Sequence, residues 1–153
     1  MEFPKLTKEE IKRRVEALID DICETPGNVH NYVRPDFLDG GSSDETFWVD
    51  YIFEAGPQHQ NVFGIIHGGI SAILLDDGIG VTGSIAMGKD YVTTSAMTLS
   101  YIHAMRGTKF RVHTELTHLG KRMISGNGEI YDENGVLCVT CMANYNVFAF
   151  KKK

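Results

Sequence analysis

Two adjacent carboxylates, Asp76 and Asp77, sit inside the most apolar stretch of this 153-residue chain, Ile70 to Ile85. A carboxylate removed from water is costly unless it is paired or hydrogen-bonded. The pair therefore needs either a structural partner or a chemical task. One such task is catalysis, since buried carboxylates with perturbed environments are functional-site candidates. The other reading is a hydrogen bond to backbone or to a second chain, and residue chemistry leaves both open. At about 100° per residue, Asp77 falls on the stripe of Ile70, Ile73, Leu74 and Val81. Asp76 falls beside Ala72, Gly80 and Gly83, where small neighbours leave room for a substrate or another backbone.

His67-Gly68-Gly69 opens the same segment. The first N–H groups of a helix have no intrahelical acceptor, and with the helix dipole they form an anion site. Gly68 has no side chain to block a ligand, and Asn61 could add an amide donor. Together they could form an oxyanion hole for an acyl-transfer intermediate. The alternative for Gly68 and Gly69 is tight packing of the helix start. His67 is expected to be a hydrogen-bonded structural residue rather than a base. Gly68 and Asp76 are eight residues apart, or about 12 Å along a helix. A reacting carbonyl must lie about 3 Å from both base and oxyanion donors. If both groups act, they come from different subunits of a homodimer with two interfacial sites.

The elements that must hold these groups follow from patterning. Thr7 and Glu10 form a capping-box signature, followed at helical spacing by Ile11, Val15, Leu18, Ile19 and Ile22. This N-terminal helix is expected within residues 1 to 27, ending near Thr25-Pro26-Gly27. Residues 26 to 45 are rich in Gly, Pro, Asn, Asp and Ser and read as loop. Strand formers fill 46 to 54. The segment Ile70 to Ile85 is apolar almost all round and reads as a buried helix. Strand-like runs follow at 91 to 103, 109 to 119, 122 to 131 and 136 to 148. In the second, Phe110, Val112, Thr114 and Leu116 alternate with polar residues. Asp132-Glu133-Asn134-Gly135 is a hairpin signal. The expected class is α+β: one domain with an antiparallel sheet covering the apolar helix.

Composition narrows the partners. The hydrophobic share is 42%, the charged share 23% and the net charge -5. These are ordinary values for a globular domain, and wholesale binding of nucleic acid or anionic membrane is not expected. Arg106, Lys109, Arg111, Lys121 and Arg122 face one acid, Glu115, between residues 106 and 122. A solvated strand face is the first reading, and a dock for phosphates the second. Cys23, Cys138 and Cys141 are too few for a disulfide framework, and the last two read as core thiols. The charged N-terminus lacks the pattern of a signal peptide, and no apolar run is expected to reach a membrane span. The expected compartment is the cytoplasm. Lys151 to Lys153 read as a solvated tail. There is no Gly-x-Ser-x-Gly, no His-Glu-x-x-His and no paired Cys/His metal set.

Asn61-x5-His67-Gly68-Gly69 with Asp76 nine residues after His67 resembles the hotdog-fold thioesterases of the phenylacetate-pathway and acyl-CoA thioesterase 13 type. Thr94 falls where that family has Ser or Thr. Gly120-Lys121-Arg122 is similar to its glycine-basic turn near coenzyme A. Where the family often has Pro three residues after the strand-ending tyrosine, this chain has Ala104 after Tyr101. The resemblance spans roughly residues 46 to 148. It implies an antiparallel sheet wrapped around a long central helix. It also implies hydrolysis of acyl-CoA by a homodimer or dimer of dimers. Asp76 would be nucleophile or general base. Gly68 N–H with Asn61 would polarise the carbonyl, and Thr94 would orient water or Asp76. His67, Gly69, Gly120, Lys121 and Arg122 would contact substrate. No cofactor or metal is implied, since coenzyme A enters as part of the substrate. The rivals are a non-catalytic acyl-CoA binding module and a hotdog hydratase or dehydratase. The latter resembles an Asp-x4-His pattern, and no His here has Asp five residues before it.

Overall fold

Thr7 begins the first helix as its sequence signature requires. A computed structural model describes residues 2–88 and 91–148. In helix α1 (Lys8–Cys23), the Glu10 N–H donates to Thr7 Oγ1 at 3.2 Å, and the Thr7 N–H donates to the Glu10 carboxylate at 2.8 Å. The helix buries Ile11, Val15 and Ile19. It stops at Cys23 with Glu24 as C-cap, next to the expected Thr25-Pro26-Gly27.

The expected loop at 26 to 45 contains a strand. One turn of 3-10 helix at Val29–Asn31 leads into β1 (Asp36–Ser42), which pairs antiparallel with β2 (Phe47–Glu54). Asp-Phe-Leu-Asp-Gly-Gly-Ser is poor in strand formers, so propensity does not reveal it. Its glycines serve close approach instead. A Cβ on Gly40 would lie 2.9 Å from Ile11 Cγ2, and one on Gly41 2.7 Å from Trp48 Nε1. Glycine here lets α1 and Trp48 close on the strand.

Helix α2 (Gly68–Met87) follows, then β3 (Val92–Tyr101), β4 (Lys109–Leu119), β5 (Met123–Asp132) and β6 (Leu137–Val147). The sheet order is β1-β2-β4-β5-β6-β3, with every pairing antiparallel. The chain therefore leaves β2, runs through α2, and starts β3 at the far edge of the sheet. This is the expected hotdog arrangement, a sheet wrapped around a central helix. Phe110, Val112, Thr114 and Leu116 of β4 are buried, as the alternation predicts. After Tyr101, the Ile102 and His103 N–H groups both donate to the Cys138 carbonyl, so Ala104 follows a tied-down turn. Gly135 closes the β5–β6 hairpin with φ 78°. Cys138 and Cys141 are buried free thiols.

Helix and sheet meet over glycines. A Cβ on Gly126 would lie 2.8 Å from Ile79 Cγ2 and 3.0 Å from the Glu115 carbonyl oxygen. The carbonyl belongs to the neighbouring strand and cannot swing away. Gly126→Ala is expected to cost about 1–3 kcal/mol by overpacking, read as a lower denaturant midpoint at unchanged slope.

One expectation needs correction and one is refined. Helix α2 is, by length and composition, apolar enough to cross a membrane, with 61% of its apolar window buried inside the fold. The basic run between 106 and 122 is also partly neutralised. Lys109 pairs with Glu54 at 3.1 Å and Arg111 with Asp50 at 3.3 Å, while His113 reaches Asp50 at 2.7 Å. The Lys151–Lys153 tail lies outside the described residues.

Candidate active site

His67 caps α2, its Nδ1 accepting from the Gly69 N–H at 2.9 Å. This fulfils the structural expectation for His67 and occupies the N–H of Gly69. The Ile70 and Ser71 N–H groups go to the His67 carbonyl. Among the described residues, the Gly68 N–H has no protein acceptor, so it is the open donor of this helix start. Gly68 also has a packing reason. A Cβ there would lie 3.2 Å from the Tyr101 ring, whose hydroxyl donates to the Gly68 carbonyl at 2.9 Å.

Asn61 stands just upstream. Its Oδ1 accepts from the Phe63 N–H at 2.9 Å and the Ile65 N–H at 3.4 Å. That holds the 61–65 loop and leaves the Nδ2 hydrogens without an acceptor among the described residues. Phe63 at the loop tip is 77% exposed and lies outside the core.

Two turns further along α2, the two aspartates are sorted by their partners. Thr94 Oγ1 donates to Asp76 Oδ1 at 2.6 Å. The Tyr145 hydroxyl reaches the same Oδ1 at 3.0 Å and the Asp76 carbonyl at 2.8 Å. Thr94 and Tyr145 are paired neighbours on β3 and β6, and the register slips between Thr94 and Ala96. Such a bulge re-aims side chains. Burial, with the Asp76 charge beside it, pushes the Tyr145 phenol up, so it stays a proton donor. Both hydroxyls bind Oδ1, and Asp76 Oδ2 has no partner among the described residues.

Asp77 has a different neighbour. Its Oδ2 lies 2.7 Å from His30 Nδ1, from the 3-10 turn after α1. Burial raises the Asp77 carboxyl above its ordinary range, and the His30 hydrogen bond opposes that rise. A cavity of about 870 Å³ joins the two aspartates. Leu18 and Ile22 of α1, Val81 of α2 and Val92 of β3 form part of its wall, with His30, Asp76, Asp77, Thr94 and Tyr145. The α1 end of this cavity is latched by a hydrogen bond from the Tyr91 hydroxyl to Asp21.

The structure thus brings Asp76 and Thr94 together and separates them from the Gly68–Asn61 end of α2. Eight residues of continuous helix lie between Gly68 and Asp76, again about 12 Å. Lys121 and Arg122 are exposed on the β4–β5 turn, closed by the Gly120 N–H on the Met123 carbonyl. This turn lies at the end of the sheet where Met123, Asn146 and Thr93 align. It is the same end that carries Thr94. Sequence reading missed Tyr145 and His30. The inward alternation of Cys141, Ala143 and Tyr145 could have flagged the tyrosine, whereas His30 sits in an irregular segment with no periodic signal. Among the described residues, no group of three or more His, Cys, Asp or Glu side chains is placed to hold a metal.

The family model described as the thioesterase superfamily matches residues 63–139, half of the chain. The fold is similar to that of a thioesterase from Haemophilus influenzae, at 15% identity and TM-score 0.72, over 96% of this chain and 94% of that one. It is similar to zebrafish thioesterase superfamily member 2, at 19% identity and TM-score 0.74, over 94% of this chain and 100% of that one. A Streptococcus mutans protein solved with bound acetyl-CoA matches at 18% identity and TM-score 0.67, over 78% of this chain and 92% of that one. Among curated proteins, none matches by sequence. With its family match and its sheet-wrapped central helix, the chain belongs to the thioesterase superfamily and has the hotdog fold.

Proposed function

We propose that the chain is an acyl-CoA thioesterase whose site is shared between two subunits. The observation that carries this is Asp76, a carboxylate fixed by two hydroxyls through Oδ1, with Oδ2 open at a large cavity. Such a group can attack a thioester carbonyl, or take the proton of an attacking water. In the second route the water proton goes to Asp76, the hydroxide bonds to the carbonyl carbon, and the tetrahedral intermediate expels coenzyme A as thiolate. A thiol with a pKa near 8.5 on the cysteine scale leaves without a strong acid.

The negative oxygen of the intermediate needs donors, and the open N–H at the start of α2 is about 12 Å away along the helix. Gly68 N–H and Asn61 Nδ2 of a second subunit would supply them. Strand β3 supports the pairing. Among the described residues it is hydrogen-bonded on one side only, to β6, and it carries Thr94. Two β3 edges run antiparallel across a two-fold axis would pair the open ladder. Lys121 and Arg122 would meet the phosphates of coenzyme A.

Thr94→Val removes one of the two hydroxyls on Oδ1 and keeps the shape. It is expected to lower kcat about tenfold to a hundredfold, with little change in KM. Tyr145→Phe should act in the same direction, and wild-type kcat in both would remove the hydroxyl clamp from the mechanism. The activity itself is tested by a hydrolysis screen of short, long and aromatic acyl-CoAs with free-thiol detection. Thiol release from at least one class supports the reading. Tight acyl-CoA binding without release would select the non-catalytic module instead.

A further inference from the structure

The cavity beside Asp76 contains a second polar centre that the hydrolytic mechanism does not use. His30 Nδ1 meets Asp77 Oδ2 at 2.7 Å. The His30 and Asp77 side chains retain 32% and 21% exposure, so the pair is open to the cavity they line rather than sealed. Among the described residues, His30 Nε2 and Asp77 Oδ1 have no hydrogen-bond partner. The surrounding wall includes Leu18, Ile22, Val81 and Val92. The wall thus mixes apolar side chains with acids, hydroxyls and His30, and fixed polar groups of this kind set a ligand's orientation.

The cavity's charge identifies which part of a thioester it takes. Asp21, Glu24, Asp76 and Asp77 all line it, with no lysine or arginine among the described lining residues. A polyphosphate arm is repelled there, so the cavity suits the acyl side. Resting on the thioesterase reading, we propose that His30 and Asp77 form an acyl-selectivity site for chains carrying a hydroxyl a few bonds from the thioester carbonyl. As the neutral tautomer that donates through Nδ1 to Asp77, His30 accepts at Nε2, and Asp77 Oδ1 also accepts, so a hydroxyl can donate to either. A plain alkyl chain would strip water from both atoms and return no hydrogen bond. A carboxylate-ended chain would meet like charge. Asp76 and Asp77 are consecutive, with α-carbons about 3.8 Å apart, which keeps the recognised group close to the reacting carbon.

The test uses four-carbon esters of one length: butanoyl-, 3-hydroxybutanoyl-, 4-hydroxybutanoyl- and succinyl-CoA. For the full-length protein, kcat/KM for the better hydroxyacyl ester should exceed that for butanoyl-CoA by about tenfold, with succinyl-CoA the poorest. His30→Phe should collapse that ratio to near unity. His30→Gln gives a second reading if the first variant folds poorly, with thermal melting as the control. Calorimetric binding of the same esters to Asp76→Ala separates the two ideas. A hydroxyacyl preference in binding that His30→Phe abolishes, with no thiol release by the wild type, upholds this site and sinks hydrolysis. Turnover of butanoyl- and hydroxybutanoyl-CoA within twofold of each other, or a ratio unchanged in both His30 variants, overturns the selectivity site and leaves hydrolysis standing.

Discussion

Asp76→Ala is expected to lower kcat on any accepted acyl-CoA by about a hundredfold to ten-thousandfold, while acyl-CoA binding by calorimetry stays within a few fold. The fold should survive the change. The Tyr145 hydroxyl keeps its bond to the backbone carbonyl of residue 76, and losing a half-buried carboxylate removes a desolvation cost. A large loss of turnover with intact binding is the signature of a group needed by the transition state more than by the bound substrate. A variant retaining near-normal kcat would remove Asp76 from the mechanism altogether.

The second large effect is expected at Asn61. Losing one oxyanion donor costs about 10²–10³ in kcat, so Asn61→Ala should fall in that range. Asn61 also holds its own loop through Oδ1, and a loop collapse would mimic lost catalysis. Asn61→Asp separates the two, because it keeps an acceptor for the Phe63 and Ile65 N–H groups and removes the donor. Its activity should drop at least as far as that of Asn61→Ala, with the melting temperature nearly unchanged. Retained activity in Asn61→Asp would assign Asn61 to loop geometry alone.

How much was legible depended on the kind of signal. A continuous apolar run located α2, alternation located β4, and strand-forming residue types placed β3, β5 and β6. β1 escaped because its glycines are chosen for the approach of Ile11 and Trp48, so its local pattern says loop. At the site, spacing within one helix was readable. Asp76 could be placed relative to Gly68, and the distance between them pointed to two subunits. Contacts between distant segments were not readable. Tyr145 lies 69 residues from Asp76, and His30 lies 47 residues from Asp77. No local pattern records such a meeting. The doubled Asp76-Asp77 is the instructive case. Residue chemistry left the pair ambiguous, and their neighbours distinguish them: two hydroxyls on one, a histidine on the other.

The division of the site between subunits is tested most directly by mixing two inactive variants, Asp76→Ala and Asn61→Ala, and following thiol release after subunit exchange. In a mixed dimer, one site combines both defects. The other combines an intact Asp76 with an intact Asn61. Random exchange at equal concentrations makes half the dimers mixed, so activity should recover to about a quarter of wild type. Activity no higher than that of the separate variants, with exchange verified by native mass spectrometry, would contradict a shared site and place both groups' work within one chain.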